Sequence, residues 1–194
     1  MGRGGAPGGP PAAPPAPPVL TPAGQALLDS RKKNNGQDMP SSRCLPHGLI
    51  NAISIPEPFK IIQTPSVVVV LQEEFNNYRQ ILIGKSAGTV STTPGWFGHS
   101  TGTWQADGTL VVDTKNFRDG IWLDLNGRPA SDALHITERL KRRDFGHIDA
   151  EYTIEDPKMF VKPYTQVATF DLMPDTELIE HICENEQDQQ HRVK

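Results

Sequence analysis

From Phe59 onward the chain is written in short runs of apolar and polar residues, each bounded by turn-forming residues. The cleanest sets Ile148, Ala150, Tyr152 and Ile154 against Asp149, Glu151 and Thr153. A period of two puts the first group on one face of a strand and the second on the other. The same pattern predicts strands at 59–63, 66–73, 77–83, 99–105, 109–114, 133–141, 147–154, 164–172 and 176–184. Asp107-Gly108, Asp144-Phe145-Gly146 and Pro174-Asp175 fall between adjacent runs and carry hairpin-turn chemistry. Upstream, Thr21 and Pro22 read as the N-cap and first position of a helix that Asn35-Gly36 ends. The pattern therefore predicts an all-β fold. An antiparallel meander of about eight or nine strands forms a calycin-like barrel or strongly curved sheet, preceded by one short helix.

Residues 1–20 are rich in Pro, Gly and Ala and have nothing to bury, so they read as a disordered leader. Residues 21–194 then form a single domain, with the helix at 21–34 and a loop at 35–58. The formal charge of −4 speaks against a nucleic-acid or anionic-membrane surface, both of which need clustered cations. The longest apolar run, Val67 to Leu71, has the length of a buried strand, far below the roughly 20 residues of a membrane helix. The first residues lack the charged start, apolar stretch and cleavage site of a signal peptide. Their low-complexity opening would equally suit a chain from which a signal has been removed.

The candidate chemistry lies between Gly95 and Arg139, which holds all three tryptophans, five aspartates, His99, His135 and Glu138. On the strand around 133–141, Leu134, Ile136, Glu138 and Leu140 share one face, and His135, Thr137 and Arg139 the other. Glu138 is the one charge on the apolar face. An unpaired buried carboxylate costs several kcal/mol. Glu138 therefore pairs with a cation, Arg79 or Arg139 of the partner subunit, or is held protonated for acid–base work. Asp113, sharing a strand face with Val111, is a weaker version of the same case.

Two functional readings follow. In the first, an exported protein binds a small sugar-like or phenolic molecule, with Trp96, His99, Trp104, Trp122, Asp124 and Arg139 stacking on it and hydrogen-bonding it. In the second, a small hydrolase, lyase or isomerase uses Glu138, His135 and Asp113 or Asp132 as proton donor and acceptors. A third, remote reading is a serine hydrolase. Gly98-His99-Ser100-Thr101-Gly102 matches G-x-S-x-G, but that motif needs a strand-to-helix elbow, and here strand, turn and strand follow. A glycine-rich strand making room for aromatic neighbours is the simpler account. No cofactor is implied, and His99, His135, Asp113, Asp132 and Glu138 lack the close spacing of a metal motif. His47, His147, His181 and His191 read as loop or surface residues. The partners expected are a small molecule and, for an open sheet edge, a second copy of the chain.

The two cysteines, Cys44 and Cys183, are read either as free buried thiols or as one bridge tying the loop to the last strand. Motifs spread over the folded part bear on that choice: RCLPHG (43–48), PFKIIQTP (58–65), GWFGHSTGTW (95–104), GTLVVDT (108–114), WLDLNGRPASDALHITER (122–139), DFGHIDAEYTIEDPK (144–158) and PDTELIEHICENE (174–186). Together they resemble a family of uncharacterised secreted proteins from soil bacteria. The resemblance implies export to the periplasm or outside the cell, and so supports a Cys44–Cys183 disulfide. It transfers no catalytic residue, since the family carries no established activity. The chain departs from the family pattern at His99, where a Tyr is usual, and at Tyr164, where a Trp is usual. It also lacks the family's lipocalin-like first strand, so an edge is expected to be open or covered by a partner.

Overall fold

In the computed structural model, which describes residues 17–52, 55–84 and 91–183, eight strands form one sheet. They are β1 (Phe59–Gln63), β2 (Val67–Gln72), β3 (Asn77–Ile83), β4 (His99–Trp104), β5 (Leu110–Lys115), β6 (His135–Arg142), β7 (His147–Glu155) and β8 (Tyr164–Asp171). Each lies beside its neighbour in sequence, and the sheet curls into a half-barrel. The curl brings the two edge strands together: the rings of Phe59 and Phe170 meet edge to face at 4.9 Å.

Register carries the alternation of the sequence across the whole sheet. Val68 faces Ile81, Val112 faces Glu138, and Glu138 faces Tyr152. The inner face thus collects Val68, Ile81, Leu110, Val112, Ile136, Ala150, Tyr152 and Ile154, all buried. Two glycines of the G-x-S-x-G run admit close neighbours. A methyl at Gly102 would come within 2.8 Å of Ile81, and Gly98, at φ 64°, packs against the Phe117 ring. Ser100 between them lies mid-strand and 4 % exposed, with no elbow.

The helix α1 (Pro22–Lys33) starts where its cap chemistry places it, with the Thr21 hydroxyl accepting the Gly24 N–H at 3.1 Å. Its buried Arg31 donates to the carbonyls of Gly127 and Gly120 at 3.1 and 3.3 Å and lies over the Trp122 ring. That contact docks the helix on the segment leading to β6. Just before the helix, the Val19 carbonyl accepts the Val161 N–H at 2.9 Å, and Leu20 bridges to Phe160. No helix among the described residues is long and apolar enough to cross a membrane.

Two expectations are corrected. β3 and β4 pair in parallel rather than antiparallel, because the connection from Gly84 to Gly98 is long enough to return the chain to the same end of the sheet. The strand expected at 176–184 is absent over 176–183, and Pro174-Asp175 does not open a hairpin. This segment is an irregular strap instead. Its backbone is held by the side chains of Glu73 and Asn76, and Cys183 is bonded to Cys44 with the Cα atoms 5.5 Å apart. These fastenings override the β propensity of LIEHI. Of the leader, residues 1–16 lie outside the described residues.

Candidate functional site

The outer face of β4, β5, β6 and β7 holds the polar residues that alternation left outside. Asp113 stands directly opposite Thr101 and Thr137, and His135 opposite Glu155. His135 is therefore one diagonal step from Asp113, a spacing that long side chains bridge. Its Nε2 meets the Asp113 carboxylate at 2.6 Å and its Nδ1 meets Glu155 at 3.1 Å. An imidazolium has a donor on each nitrogen and satisfies both carboxylates at once, whereas the neutral ring satisfies only one. Lys115 closes on the other Asp113 oxygen at 3.1 Å. The result is a line of hydrogen-bonded side chains: Glu155, His135, Asp113, Lys115.

An open pocket of about 340 Å³ lies at the Lys115 end of this line, walled by Ser91, Thr92, His99, Thr101, Asp113, Lys115 and Asn116. Its far wall is built by local pinning. His99 Nε2 meets the Thr93 carbonyl at 2.6 Å, and Asn116 Nδ2 donates to the Ser91 carbonyl at 3.2 Å. A backbone clasp holds the same loop, with Gly95 N donating to Asn116 O at 3.0 Å and Arg118 N to Gly95 O at 2.9 Å. Every wall residue thus presents a hydroxyl, amide, imidazole, carboxylate or ammonium group.

Partial burial pushes the Asp113 carboxyl up, but hydrogen bonds from His135 and Lys115 outweigh it, and the group sits below its ordinary value. A lowered folded-state value adds stability above the ordinary carboxylate range, and that stability disappears as pH falls through the lowered value. Because Asp113 is 44 % exposed, the effect is screened to a fraction of a kcal/mol. Asp113→Asn is therefore expected to flatten the acid limb of the stability profile below about pH 4. Urea titrations of both proteins between neutral and acid pH measure it, and parallel profiles would count against the pairing.

The other residues singled out from sequence are dispersed. Glu138 is inside the sheet, 2 % exposed, bonded to the Arg79 guanidinium through both carboxylate oxygens. Arg79 also donates to Ser100 Oγ at 3.0 Å and Thr114 Oγ1 at 2.7 Å, so the serine of G-x-S-x-G belongs to this buried network. Asp113 faces outward with Val111, so the burial argued for it does not arise. Asp132 is exposed and pairs with Lys158, away from His135. Asp124 organises its own turn, accepting from the Arg128 side chain at 2.6 Å. Arg139 is exposed on the outer face.

The tryptophans do not converge. Trp122 is buried beneath Arg31, Trp96 is half-buried with its N–H on the His47 carbonyl at 3.3 Å, and Trp104 is 42 % exposed at the end of β4. None of them lines the pocket. Among the described residues no group of three or more His, Cys, Asp or Glu side chains could hold a metal ion.

Sequence reasoning missed Glu155, Lys115 and Asn116. Glu155 was recoverable, since it continues the alternation of β7 past Ile154 and falls opposite His135 once the hairpin is registered. Asn116 was not, because its role depends on a loop folding back from residue 91. His47, read as a loop or surface residue, lies in a loop but is half-buried and paired with the buried Glu74.

The molecule is thus a mostly antiparallel half-barrel with an open pocket on its outer face. No protein-family model, curated protein or solved structure matches the chain.

Proposed function

We propose that this is an exported small-molecule-binding protein whose site is the outer-face pocket between β4, β5 and the 91–93 loop. The observation that carries the reading is the convergence of Ser91, Thr92, Thr101, Asn116, His99, Asp113 and Lys115 on one cavity of about 340 Å³. Such a lining sets hydroxyl, amide and charged groups among largely apolar wall surface and lacks a tryptophan platform, which favours a hydroxylated, sugar-like ligand over a phenolic one. The volume is at the small end of the range for ligand pockets, about 300–1,000 Å³, and suits a single sugar ring. The Cys44–Cys183 bridge supports an oxidising compartment, in keeping with the motif resemblance to secreted proteins.

Calorimetric titration with monosaccharides and small polyols tests the reading. A binding sugar present at 100 times its Kd is expected to stabilise the fold by about 2.7 kcal/mol. Asp113→Asn and Asn116→Ala should each abolish that gain. Binding that survives both substitutions, or no binding by any member of the panel, would discard the pocket.

A second reading, acid–base catalysis, is favoured by one observation. His135 is held between two carboxylates, one of which lines the pocket. Asp113 would meet the substrate and His135 would supply or accept its proton. Product appearing in the NMR spectrum of any bound sugar, and disappearing in His135→Gln, would decide for catalysis over binding alone.

A further inference from the structure

A second, buried site lies beside the turn to which the irregular strap after β8 is fastened. His47 Nδ1 is paired with Glu74 Oε1, and the same oxygen accepts the His47 backbone N–H at 3.4 Å. The Glu74 side chain is 3 % exposed. His47 Nε2 and Glu74 Oε2 are both buried, and neither has a hydrogen-bond partner among the described residues. Buried polar atoms in native proteins are almost always satisfied, so two on one ion pair call for a cause. A carboxylate that engages Nδ1–H orients the ring and leaves the Nε2 lone pair as acceptor, which is the arrangement of a general base. The outer-face pocket uses neither residue.

The turn that carries Glu74 is strained at Phe75 and is tied to the strap. Phe75 and Asn76, neither a glycine, take φ 52° and 51°, in the left-handed region. Asn76 exchanges two hydrogen bonds with the His181 backbone, at 3.0 and 2.8 Å, and the Ile179 N–H donates to Glu73 at 3.0 Å. The Phe75 ring is stacked on His181 at 4.9 Å and turned edge-on to His47 at 5.9 Å, so the three rings form a row from the strap to the buried pair. Apolar burial does little to fix the strap: Ile179 and Ile182 are 69 % and 68 % exposed. Its one covalent fastening is Cys183 to Cys44, three residues before His47.

We propose that the strap at 172–183 is a redox-operated cover over a His47–Glu74 acid–base pair. With the bridge formed, the row of rings is shut. A dithiol reductant opens it. One of its sulfurs attacks a bridge sulfur to give a mixed disulfide, and its second thiol displaces the remaining cysteine. Cys44 and Cys183 leave as thiols carrying the reductant's two protons, and the reductant leaves as a cyclic disulfide. The strap then retains four hydrogen bonds, one ring stack and the His181–Glu57 pair at 3.7 Å, and its release bares Nε2 to water or to the hydroxyl of a small substrate, from which it takes a proton.

Histidine acylation by diethyl pyrocarbonate, read residue by residue by mass spectrometry, tests the cover on the full chain. In the oxidised protein His47 should resist acylation. After dithiothreitol its rate should rise about tenfold or more, while His135 and the far-UV sheet signal stay unchanged, the signature of local rather than global opening. No rise at His47, or a rise shared by His135 with loss of the sheet signal, overturns the proposal. His181→Ala tests the same cover with the bridge intact. Removing the ring stacked on Phe75 should speed His47 acylation several-fold, as expected of a loosened local contact, and an unchanged rate there also overturns it.

Discussion

Glu138→Ala is expected to destabilise the protein by about 3–5 kcal/mol, the range for breaking one side of a buried ion pair. The cost arises less from the lost attraction than from the group left behind. Arg79 is 7 % exposed, and with Glu138 gone it keeps, among the described residues, only the hydroxyls of Ser100 and Thr114 as acceptors. Neither hydroxyl carries charge, and the neighbouring Val112 and Ile81, both fully buried, offer no hydrogen-bonding side chain. The same environment holds the Tyr152 phenol neutral, since burial pushes it far up and the Glu138 charge opposite pushes it further. Replacing both partners by apolar residues of similar volume, Arg79→Met with Glu138→Leu, should recover most of the loss, because no charge then remains to be desolvated. Urea unfolding of the two single variants and the double variant measures the coupling directly. Additive losses would show that the pair does not act as a unit.

Removing the bridge is the other large effect. Cys44→Ser with Cys183→Ser should lower the unfolding free energy by up to about 5 kcal/mol, the chain-entropy value for a closed loop of 139 residues. That figure is an upper limit because the strap is weakly anchored. Once released it regains freedom in the folded state as well as in the unfolded one, and the difference between the two states shrinks. The sheet itself owes nothing to the strap's pairing, since β8 is bonded to β7 along its whole length. The far-UV spectrum should therefore persist while the urea midpoint falls. An unchanged midpoint would mean that the bridge constrains neither state.

The two effects differ in how far sequence alone could reach them. That Glu138 is a buried charge follows from its place among Leu134, Ile136 and Leu140, and Arg79 was one of two partners open to it. Choosing between them required β3 to come within reach of β6, across strands 59 residues apart in the chain. The clustering of three tryptophans within one stretch was, by contrast, a poor guide. Side chains close in sequence are sent to different layers by the turns between them, so that Trp122 packs under the helix while Trp104 ends at the rim.

By itself the sequence determined the eight strands from β1 to β8, the inner face around Glu138 and Tyr152, the capped helix and the turns at Asp107-Gly108 and Asp144-Phe145-Gly146. These are local properties, set by the period of two and by the backbone preferences of a few residues. The tertiary structure alone decided the parallel step from β3 to β4, the loss of the last strand to a bridged strap, and the meeting of Asp113, His135 and Glu155 beside one pocket. Each depends on register and on contacts between distant segments, and such contacts leave no periodic trace in the chain.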